Sequence, residues 1–457
     1  MMDHLGELKT EELGLFIDLY ELTMAQAYHS EQLEDRALFT LHFRKLPEQR
    51  NFMLACGQHY AALLATALRF PPEQLEHLAS LDVFTDDFLQ WLGNFRFTGD
   101  IRVLPEGTPV FPHEPLLEVE APLIEGQLLE TLLMNYVSTE TVLASKAVRM
   151  VIAAEGRSVV DFGMRRMHGY DAALRGVRAY RTAGLAATSN VLGSLRYGLP
   201  ANGTMAHSYI QAYKDEMEAF RHYARLYPGT TLLVDTYDTI KGVDKVIRLV
   251  KEEGFEVGAI RLDSGDLAEL ARASRKRLDE AGLDQIRIVV SSGLDEWSMQ
   301  EIIDAGAPVD GFGVGTKLGV SEDAPAIDLA YKLTEYRKEP RLKNSPGKKL
   351  LPGRKQVWRF RDAHGCYSYD EICRDTEQRD GESLLVTVVR NGEPVGPEPD
   401  IEESRERVKR ALDEMGPAML ALDRAEKDYD IRISEELDQL YREALEAVSE
   451  NGSDNRG

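Results

Sequence analysis

Four short apolar runs recur at similar intervals between residues 232 and 317, and each ends in a polar or glycine-bearing cluster. The clusters are Asp235–Asp238, Arg261–Asp266, Ser291–Gly293 and Gly315–Lys317. Such runs, separated by helix-length amphipathic stretches, predict parallel strands joined by crossover helices. The polar ends of parallel strands gather at one edge of the sheet, which is where α/β folds bind ligands. We therefore expect the four clusters to form a single site.

Two further strands are expected upstream of these runs. Ser158 to Phe162 is predicted as the first strand, and the segment Gly203–Ser208 is expected to end the second. That makes six strands between Ser158 and Thr316, fewer than the eight of a closed barrel.

The flanking regions have different patterns. Residues 12–150 mix helical periodicity with short strands, notably Ala37 to Phe43 and Thr108 to Val119, and the prolines of the second run suggest an edge strand. Alternating segments at Gln356 to Phe360 and Leu384 to Val389 indicate a small β region, followed by a charged helical tail from Glu402 to about Ser449. We expect an α+β portion before the barrel-like one.

Eight lysines and arginines crowd between residues 337 and 355, with only Glu339 opposing them. They are Arg337, Lys338, Arg341, Lys343, Lys348, Lys349, Arg354 and Lys355. A solvated loop and a binding segment for a nucleotide or pyrophosphate both fit this pattern.

Charge and cysteine content exclude several classes. The chain has 457 residues, 77 acidic against 54 basic, and a net charge of -23, which argues against a general nucleic-acid surface. Its 3 cysteines are too scattered for a disulfide framework or a four-ligand zinc site, so a reducing compartment is expected. The start lacks a targeting pattern and no stretch approaches membrane-spanning length. We expect a soluble cytoplasmic protein.

Several polar segments carry candidate chemistry. Asp161–Arg166 places an aromatic face beside two guanidinium groups, which could stack a ring and hold a carboxylate. From local pattern alone, a strand end with Phe162 in the core and both arginines in surface ion pairs is the commoner arrangement. His207 follows a glycine-led turn, where an imidazole can act as a base or as a nucleophile towards phosphorus, although most of the 10 histidines must be structural or exposed.

Carboxylates and glycine turns extend this candidate site. Asp263 and Asp266 could bind ribose hydroxyls, hold Mg²⁺ through water or stabilise a developing cation, but Asp266 could equally cap the next helix. The turns Ser291–Gly293 and Gly313–Thr316 offer backbone amides for a phosphate, and also suit a plain strand–helix connection.

Together, these motifs resemble the nicotinate phosphoribosyltransferases, relatives of the nicotinamide and quinolinate phosphoribosyltransferases. The resemblance runs from Phe16–Met24 through the basic stretch ending in Pro352–Val357, and it rests on the order and spacing of the motifs. It implies an α/β fold with an irregular, incomplete α/β barrel at residues 151–335. An N-terminal α/β sandwich domain would occupy residues 1–150, shared with C-terminal elements, and residues 336–457 would form a basic loop, a small β region and C-terminal helices.

The resemblance also implies an activity. Members of this family transfer a 5-phosphoribosyl group from phosphoribosyl pyrophosphate to nicotinate, giving nicotinate mononucleotide and pyrophosphate for NAD biosynthesis. The reaction requires Mg²⁺ and is coupled to ATP hydrolysis through a phosphohistidine, hence its ligase-type classification. A homodimer with shared active sites is implied as well.

The resemblance assigns roles to particular residues. His207 would be the phosphorylated histidine, and Asp235 and Asp263 would lie near the ribose and Mg²⁺. The nicotinate would be surrounded by Phe162, Arg165, Thr204, Arg261 and Tyr20 of the neighbouring subunit. The phosphates would contact Ser292, Gly293, Gly315 and Thr316, with Arg44 and the basic stretch reaching over from that subunit.

Nicotinate is expected rather than nicotinamide. Amide-using relatives carry an aspartate where this chain has Ser189, and an aspartate would repel a carboxylate whereas serine would not.

Two other interpretations remain open. One is a Schiff-base lyase or aldolase that acts on a phosphorylated substrate through Lys317. The other is a non-catalytic nucleotide-binding protein that regulates a partner through its acidic surface, which the crowd of ionisable groups on one edge disfavours.

Overall fold

The protein is represented by a computed structural model that describes residues 9–343 and 349–453. The chain divides into two units. One is Lys146–Asp323, and the other combines the described parts of Met1–Ser145 and Ala324–Gly457. Across the described ranges, every helix is too short or too polar to cross a bilayer.

Helices and short strands alternate up to residue 153, after a 3-10 helix at Thr10–Leu15. The helices are α1 (Leu19–Ser30), α2 (Gln58–Ala67), α3 (Pro72–Ala79), α4 (Asp86–Gly93), α5 (Leu123–Gln127) and α6 (Glu130–Ala153). The strands are β1 (Arg36–Phe43), β2 (Met53–Leu54), β3 (Asp100–Val103), β4 (Pro109–Val110) and β5 (Leu117–Pro122).

The next segment alternates strands with helices. The strands are β6 (Ser158–Asp161), β7 (Ala187–Thr188), β8 (Thr230–Leu233), β9 (Val257–Leu262), β10 (Arg287–Val290) and β11 (Gly311–Val314). The helices are α7 (Tyr170–Ala183), α8 (Val191–Tyr197), α9 (His207–Gln211), α10 (Glu216–Leu226), α11 (Thr239–Lys251), α12 (Leu267–Glu280), α13 (Glu296–Asp304) and α14 (Thr316–Gly319). A 3-10 helix, Met164–Arg166, follows β6.

Strands dominate the last segment until the C-terminal helices. The strands are β12 (Leu329–Tyr336), β13 (Glu339–Pro340), β14 (Lys355–Arg361), β15 (Tyr367–Arg374), β16 (Glu382–Ser383), β17 (Val386–Arg390), β18 (Glu393–Pro394) and β19 (Asp430–Ile433). The helices are α15 (Ile401–Glu414), α16 (Pro417–Leu420) and α17 (Glu435–Ser453).

The unit 146–323, which is fully described, contains one sheet of six parallel strands in the order β7-β6-β11-β10-β9-β8. Apart from β7 and β8, every two strands that are consecutive in sequence are adjacent in the sheet, and the last strand, β11, lies beside the first, β6. This is a barrel that does not close, and the predicted incomplete α/β barrel of six strands is confirmed. Buried apolar side chains such as Ile260, Val290 and Phe312 fill its core, as expected for parallel strands covered on both faces.

The second strand lies earlier than the sequence suggested. It is β7, two residues long, and Gly203–Ser208 follows it only after a bridge between Thr188 and Ala201. A strand of two residues has no readable alternation, which explains why its position was missed.

Among the described residues of the other unit, the main sheet joins its strands in the order β13-β12-β1-β5-β3-β17-β18. The expected strand Ala37 to Phe43 is confirmed as β1. The single edge strand expected at Thr108 to Val119 is wrong, because β4 pairs with β2 in a separate sheet whereas β5 lies between β1 and β3. Pro112 and Pro115 fall in the connection, where they remove no ladder hydrogen bond.

The C-terminal segment also departs from its simplest interpretation. β14 belongs to a sheet ordered β16-β14-β15-β19, whereas β17 joins the main sheet. The helical tail is interrupted by β19, which pairs in parallel with β15. Of the basic stretch, Lys348 lies outside the described residues.

Candidate active site

The carboxyl ends of the six parallel strands bring most of the predicted residues to one edge of the sheet. Phe162 follows β6, Asp235 follows β8, and Asp263 follows β9. Ser292 and Gly315 lie just beyond β10 and β11. Side-chain contacts join three of the four polar clusters, those that begin at Asp235, Arg261 and Ser291. The fourth, Gly315–Lys317, reaches the same edge because β11 lies beside β10 in the sheet.

Arg261 is the centre of these contacts. Its Nε donates to Ser291 Oγ at 2.9 Å, its Nη1 to Thr204 Oγ1 at 2.6 Å, and its Nη2 to Asp263 Oδ1 at 3.0 Å. The guanidinium carbon also lies 5.7 Å from the centre of the Phe162 ring, within cation–π range. One half-buried cation thus links the ends of three strands, β6, β9 and β10, and the segment before α9.

Asp263 is held as a carboxylate. Burial would raise its pKa, but the hydrogen bond from Ser291 and the positive charge of Arg261 outweigh burial, so the pKa of Asp263 lies below its ordinary value. Its Oδ2 lies 3.7 Å from His207 Nε2. An ionised carboxylate therefore faces the imidazole.

Asp235 is oriented by its neighbours and retains one available oxygen. Its Oδ2 accepts from the backbone N–H of Asp263 and from the hydroxyl of Ser264, both at 2.7 Å. Its Oδ1 is buried and has no hydrogen-bond partner in the part of the chain that the structure describes. An unpartnered buried carboxylate oxygen suits a cation or a ligand hydroxyl.

A complete protein-made metal cage is not present in the described ranges, where no group of three or more His, Cys, Asp and Glu side chains could hold a metal ion. Asp235 and Asp263 nevertheless fit Mg²⁺, which commonly takes one or two carboxylates and completes its shell with water and substrate phosphates.

His207 opens α9 and points towards this edge. Its Nδ1 lies 3.1 Å from Thr236 Oγ1, and its side chain is 39% exposed. In the tautomer whose Nδ1 donates to Thr236, Nε2 carries a free lone pair. That nitrogen could then accept a phosphoryl group or a proton.

The turn after β6 is fixed by a buried carboxylate. Asp161 accepts from the Gly163 N–H and from the Thr188 hydroxyl, both at 2.7 Å. Burial raises the pKa of Asp161, and these two hydrogen bonds lower it only in part. The Phe162 ring lies over Gly313, where a Cβ would be only 2.5 Å from the ring. Gly313 is therefore needed for Phe162 to take its place.

The two arginines of this turn differ. Arg165, the predicted nicotinate contact, is exposed. Arg166 donates to Thr316 Oγ1 at 3.2 Å and so reaches the turn after β11. The sequence predicted Arg166 only as the second of two guanidinium groups that could hold a carboxylate, and its contact with Thr316 was not predicted.

The turn after β10 has an unusual backbone. Ser292 has φ +103° and Gly293 has φ +61°. A non-glycine residue with positive φ is uncommon and is concentrated at functional sites. α13 begins three positions later, capped by Asp295, so the turn and the positive end of the helix dipole lie together and could receive an anion.

Lys317 is engaged in an ion pair. Its Nζ lies 2.6 Å from Asp295 Oδ2, and this hydrogen bond raises the pKa of Lys317. Schiff-base formation needs an unprotonated amine. The ion pair therefore argues against the lyase interpretation.

Asp266 has the simpler of its two expected roles. It caps α12 by accepting from the Glu269 N–H at 2.9 Å.

Tyr20 and Arg44 belong to the other unit. Tyr20 lies on α1 with 46% of its surface exposed, and Arg44 donates to Asp328 at 2.8 Å.

Much of the basic stretch is neutralised, contrary to the expectation that Glu339 alone opposes it. Arg337 pairs with Asp35, Arg341 with Glu339, Arg354 with Glu120 and Asp375, and buried Lys355 with Glu118. Apart from Glu339, these carboxylates come from distant parts of the sequence. The cations so paired are less available to a polyphosphate than the sequence suggested.

Glu21, which follows Tyr20 on α1, is buried, and its ionisation makes the stability of the protein depend on pH. Burial raises the pKa of Glu21 to about 7, against its usual 4.5, although Thr131 hydrogen bonds lower it in part. Between these values the folded state keeps a proton that the unfolded state has lost, so stability falls as pH rises, by at most about 1.4 kcal/mol per pH unit. This contribution is complete below pH 4.5 and lost above about pH 7.

We expect Glu21→Gln to abolish that part of the pH dependence. Urea unfolding of both proteins from pH 4.5 to 8 should show the variant gaining stability relative to wild type as pH rises. The exposed Glu31→Gln, just past the end of the same helix, is the control and should follow wild type. Parallel curves for Glu21→Gln and wild type would contradict the assignment.

Comparison with known proteins gives consistent results. The family model described as nicotinate phosphoribosyltransferase (NAPRTase) N-terminal domain matches residues 15–138, and the nicotinate phosphoribosyltransferase (NAPRTase) family model matches residues 157–376. Nicotinate phosphoribosyltransferase pncB2 of Mycobacterium tuberculosis is 48% identical over 427 residues, 93% of this chain and 92% of the relative. Nicotinate phosphoribosyltransferase of Bacillus subtilis is 38% identical over 387 residues, 81% of this chain and 79% of the relative.

Solved structures show the same architecture. Human nicotinic acid phosphoribosyltransferase matches with a TM-score of 0.82 and 27% identity, over 93% of this chain and 99% of the human one. Nicotinate-nucleotide pyrophosphorylase from Pyrococcus furiosus matches with a TM-score of 0.74 and 26% identity, over 89% and 97% of the two chains.

Proposed function

Since this chain belongs to the nicotinate phosphoribosyltransferase family, we propose that it transfers a 5-phosphoribosyl group from phosphoribosyl pyrophosphate to the ring nitrogen of nicotinate. The products are nicotinate mononucleotide and pyrophosphate. The reaction would be a step of NAD biosynthesis in the cytoplasm. The observation that carries the proposal is the Arg261 cluster, because it joins the aromatic face of Phe162 to the carboxylate Asp263 and the strand end at Ser291.

The reaction needs positioning more than covalent chemistry. Departure of pyrophosphate leaves a ribose with oxocarbenium character, which the carboxylates of Asp235 and Asp263 stabilise electrostatically. Phe162 stacks on the pyridine ring, while Arg261 and Thr204 hold the nicotinate carboxylate, with Arg165 nearby. The turns at Ser292–Gly293 and Gly315–Thr316 receive the 5-phosphate through backbone amides.

Mg²⁺ belongs to this proposal. Asp235 and Asp263 would hold it, and it would supply charge neutralisation for the leaving pyrophosphate. The buried, unpartnered Oδ1 of Asp235 supports this assignment.

We further propose that ATP hydrolysis is coupled to transfer through phosphorylation of His207. The support is its position 3.7 Å from Asp263, with Thr236 available to fix its tautomer. Phosphorylation would place a dianion beside Asp263 and so alter the charge around the substrate.

The homodimer is part of the proposal as well. Tyr20 would stack on nicotinate in the partner's site, and Arg44 with the unneutralised part of the basic stretch would contact its polyphosphate. Light scattering tests the dimer. Mixing a Tyr20→Ala protomer with a Arg261→Met protomer tests the sharing, since heterodimers should recover one intact site.

One assay decides the function. The purified protein is incubated with nicotinate, phosphoribosyl pyrophosphate and Mg²⁺, with and without ATP, and nicotinate mononucleotide is measured by chromatography. We expect product formation that ATP stimulates. No mononucleotide under either condition would overturn the function, whereas product without ATP stimulation would overturn only the coupling.

A second prediction concerns the choice between nicotinate and nicotinamide as the acceptor. Ser189 is half-buried at the end of β7, and its N–H donates to the Asp161 carbonyl at 2.8 Å. We expect Ser189→Asp to raise the KM for nicotinate by about tenfold through repulsion of its carboxylate. The KM for nicotinamide should not rise. Ser189→Asn, uncharged and of the same size, is the matched control, and an equal loss in both variants would show that size and not charge is responsible.

A further inference from the structure

Two turns of the phosphate cradle are joined by an ion pair that no step of the proposed reaction uses. Asp295 follows the turn Ser292–Gly293, and Lys317 directly follows Gly315–Thr316. Their side chains meet with Lys317 Nζ 2.6 Å from Asp295 Oδ2. The pair therefore spans the connections after β10 and β11.

Asp295 places a negative charge two residues after the turn Ser292–Gly293, which is proposed to hold the phosphate. It caps α13, accepting from the Ser298 N–H at 2.8 Å, and the Ser298 hydroxyl lies 2.9 Å from the Asp295 N–H in a capping box. A carboxylate here uses the positive end of the helix dipole for itself. A phosphate held at Ser292–Gly293 would consequently be repelled by the cap.

Lys317 supplies the opposite charge. Apart from Asp295, the nearest carboxylate to its Nζ is that of Glu322, at 3.9 Å. The hydrogen bond that joins the pair raises the pKa of Lys317 and, together with the Ser298 contacts, outweighs burial to lower that of Asp295. Both groups are therefore charged at neutral pH, and the pair as a whole is neutral.

We propose that Lys317 is a positioning residue for the 5-phosphate: its ammonium cancels the charge of Asp295 and ties the two phosphate-binding turns together. This inference rests on the proposed function, in which both turns hold one phosphate group. Lys317 acts on the phosphate through Asp295 and not by contact with it.

The test isolates the phosphate by comparing two ligands. Nicotinate mononucleotide and nicotinate riboside differ only in the 5-phosphate, so the ratio of their dissociation constants measures the phosphate's contribution. Calorimetric titration is carried out on wild type, Lys317→Met, Asp295→Asn and the double variant. Asparagine caps a helix as well as aspartate does, so Asp295→Asn removes charge and keeps the cap.

We expect Lys317→Met to weaken mononucleotide binding by about 10- to 100-fold, with riboside binding unchanged, because it leaves Asp295 unpaired beside the phosphate. Adding Asp295→Asn should restore mononucleotide binding to within about threefold of wild type. Lys317→Gln, which keeps a donor for Asp295 but no charge, is the second variant and should weaken mononucleotide binding selectively as well. The exposed Lys241→Met is the control for loss of a surface cation.

Three outcomes would overturn the proposal. A loss in Lys317→Met that Asp295→Asn does not repair would make Lys317 a direct phosphate ligand. Equal losses for both ligands would make the pair merely structural, and unchanged binding would leave it without a role. If wild type makes no mononucleotide but Asp295→Asn still restores binding in Lys317→Met, the proposed reaction is wrong and the assignment of the phosphate site is retained.

Discussion

Replacing Arg261 with methionine is expected to lower kcat/KM for nicotinate mononucleotide formation by about 10³-fold or more. The guanidinium makes hydrogen bonds to Ser291, Thr204 and Asp263 and covers the face of Phe162. Hydrogen bonds to charged groups contribute about 1.5–3 kcal/mol each, and about 1.4 kcal/mol corresponds to a tenfold change in rate. Loss of two or more such interactions at the reacting centre accounts for the expected effect.

Two further variants sharpen this prediction. Arg261→Lys retains the charge but not the planar fork, so it should recover little activity. Arg287→Met changes an exposed arginine at the opposite end of the neighbouring strand β10 and should behave as wild type. Circular dichroism and thermal unfolding establish that each variant is folded. Near-normal kcat/KM in folded Arg261→Met would remove Arg261 from the site.

Replacing His207 with alanine is expected to abolish the coupling to ATP, lowering nicotinate-dependent ATP hydrolysis by at least about 10³-fold. The variant has no nitrogen to accept the phosphoryl group, whereas Asp235, Asp263 and Arg261 keep their mutual contacts. Mononucleotide formation should therefore continue at the rate that wild type shows without ATP.

Radiolabel from γ-phosphate-labelled ATP checks this directly. Wild type should retain label that is stable in base and lost in acid, as a phosphoramidate is, and His207→Ala should retain none. His222→Ala is the control, since His222 is a half-buried histidine on helix α10, outside the candidate site. Retention of label together with ATP-stimulated synthesis in His207→Ala would show that another residue is phosphorylated.

Local pattern predicted the part of the site that lies directly at strand ends. Asp235, Asp263, Ser292 and Gly315 each follow an apolar run of strand length, and parallel strands must bring such positions to one edge. What local pattern did not predict is the contacts that two residues of these clusters make with partners distant in sequence. Thr236 contacts His207, and Arg166 contacts Thr316. The only sign in the sequence that these two residues belong to the site was that each one follows a predicted site residue directly.

The sequence by itself determined the parallel strands, their order along the chain and the polar edge, because strand periodicity and turn residues are local properties. Tertiary structure alone decided which charges are cancelled. Lys317 is paired with Asp295, and Lys355 with Glu118. It also placed β5 inside the main sheet, although its run contains prolines. Ion pairing and strand neighbours depend on distances between residues far apart in sequence, and only the folded chain sets those distances.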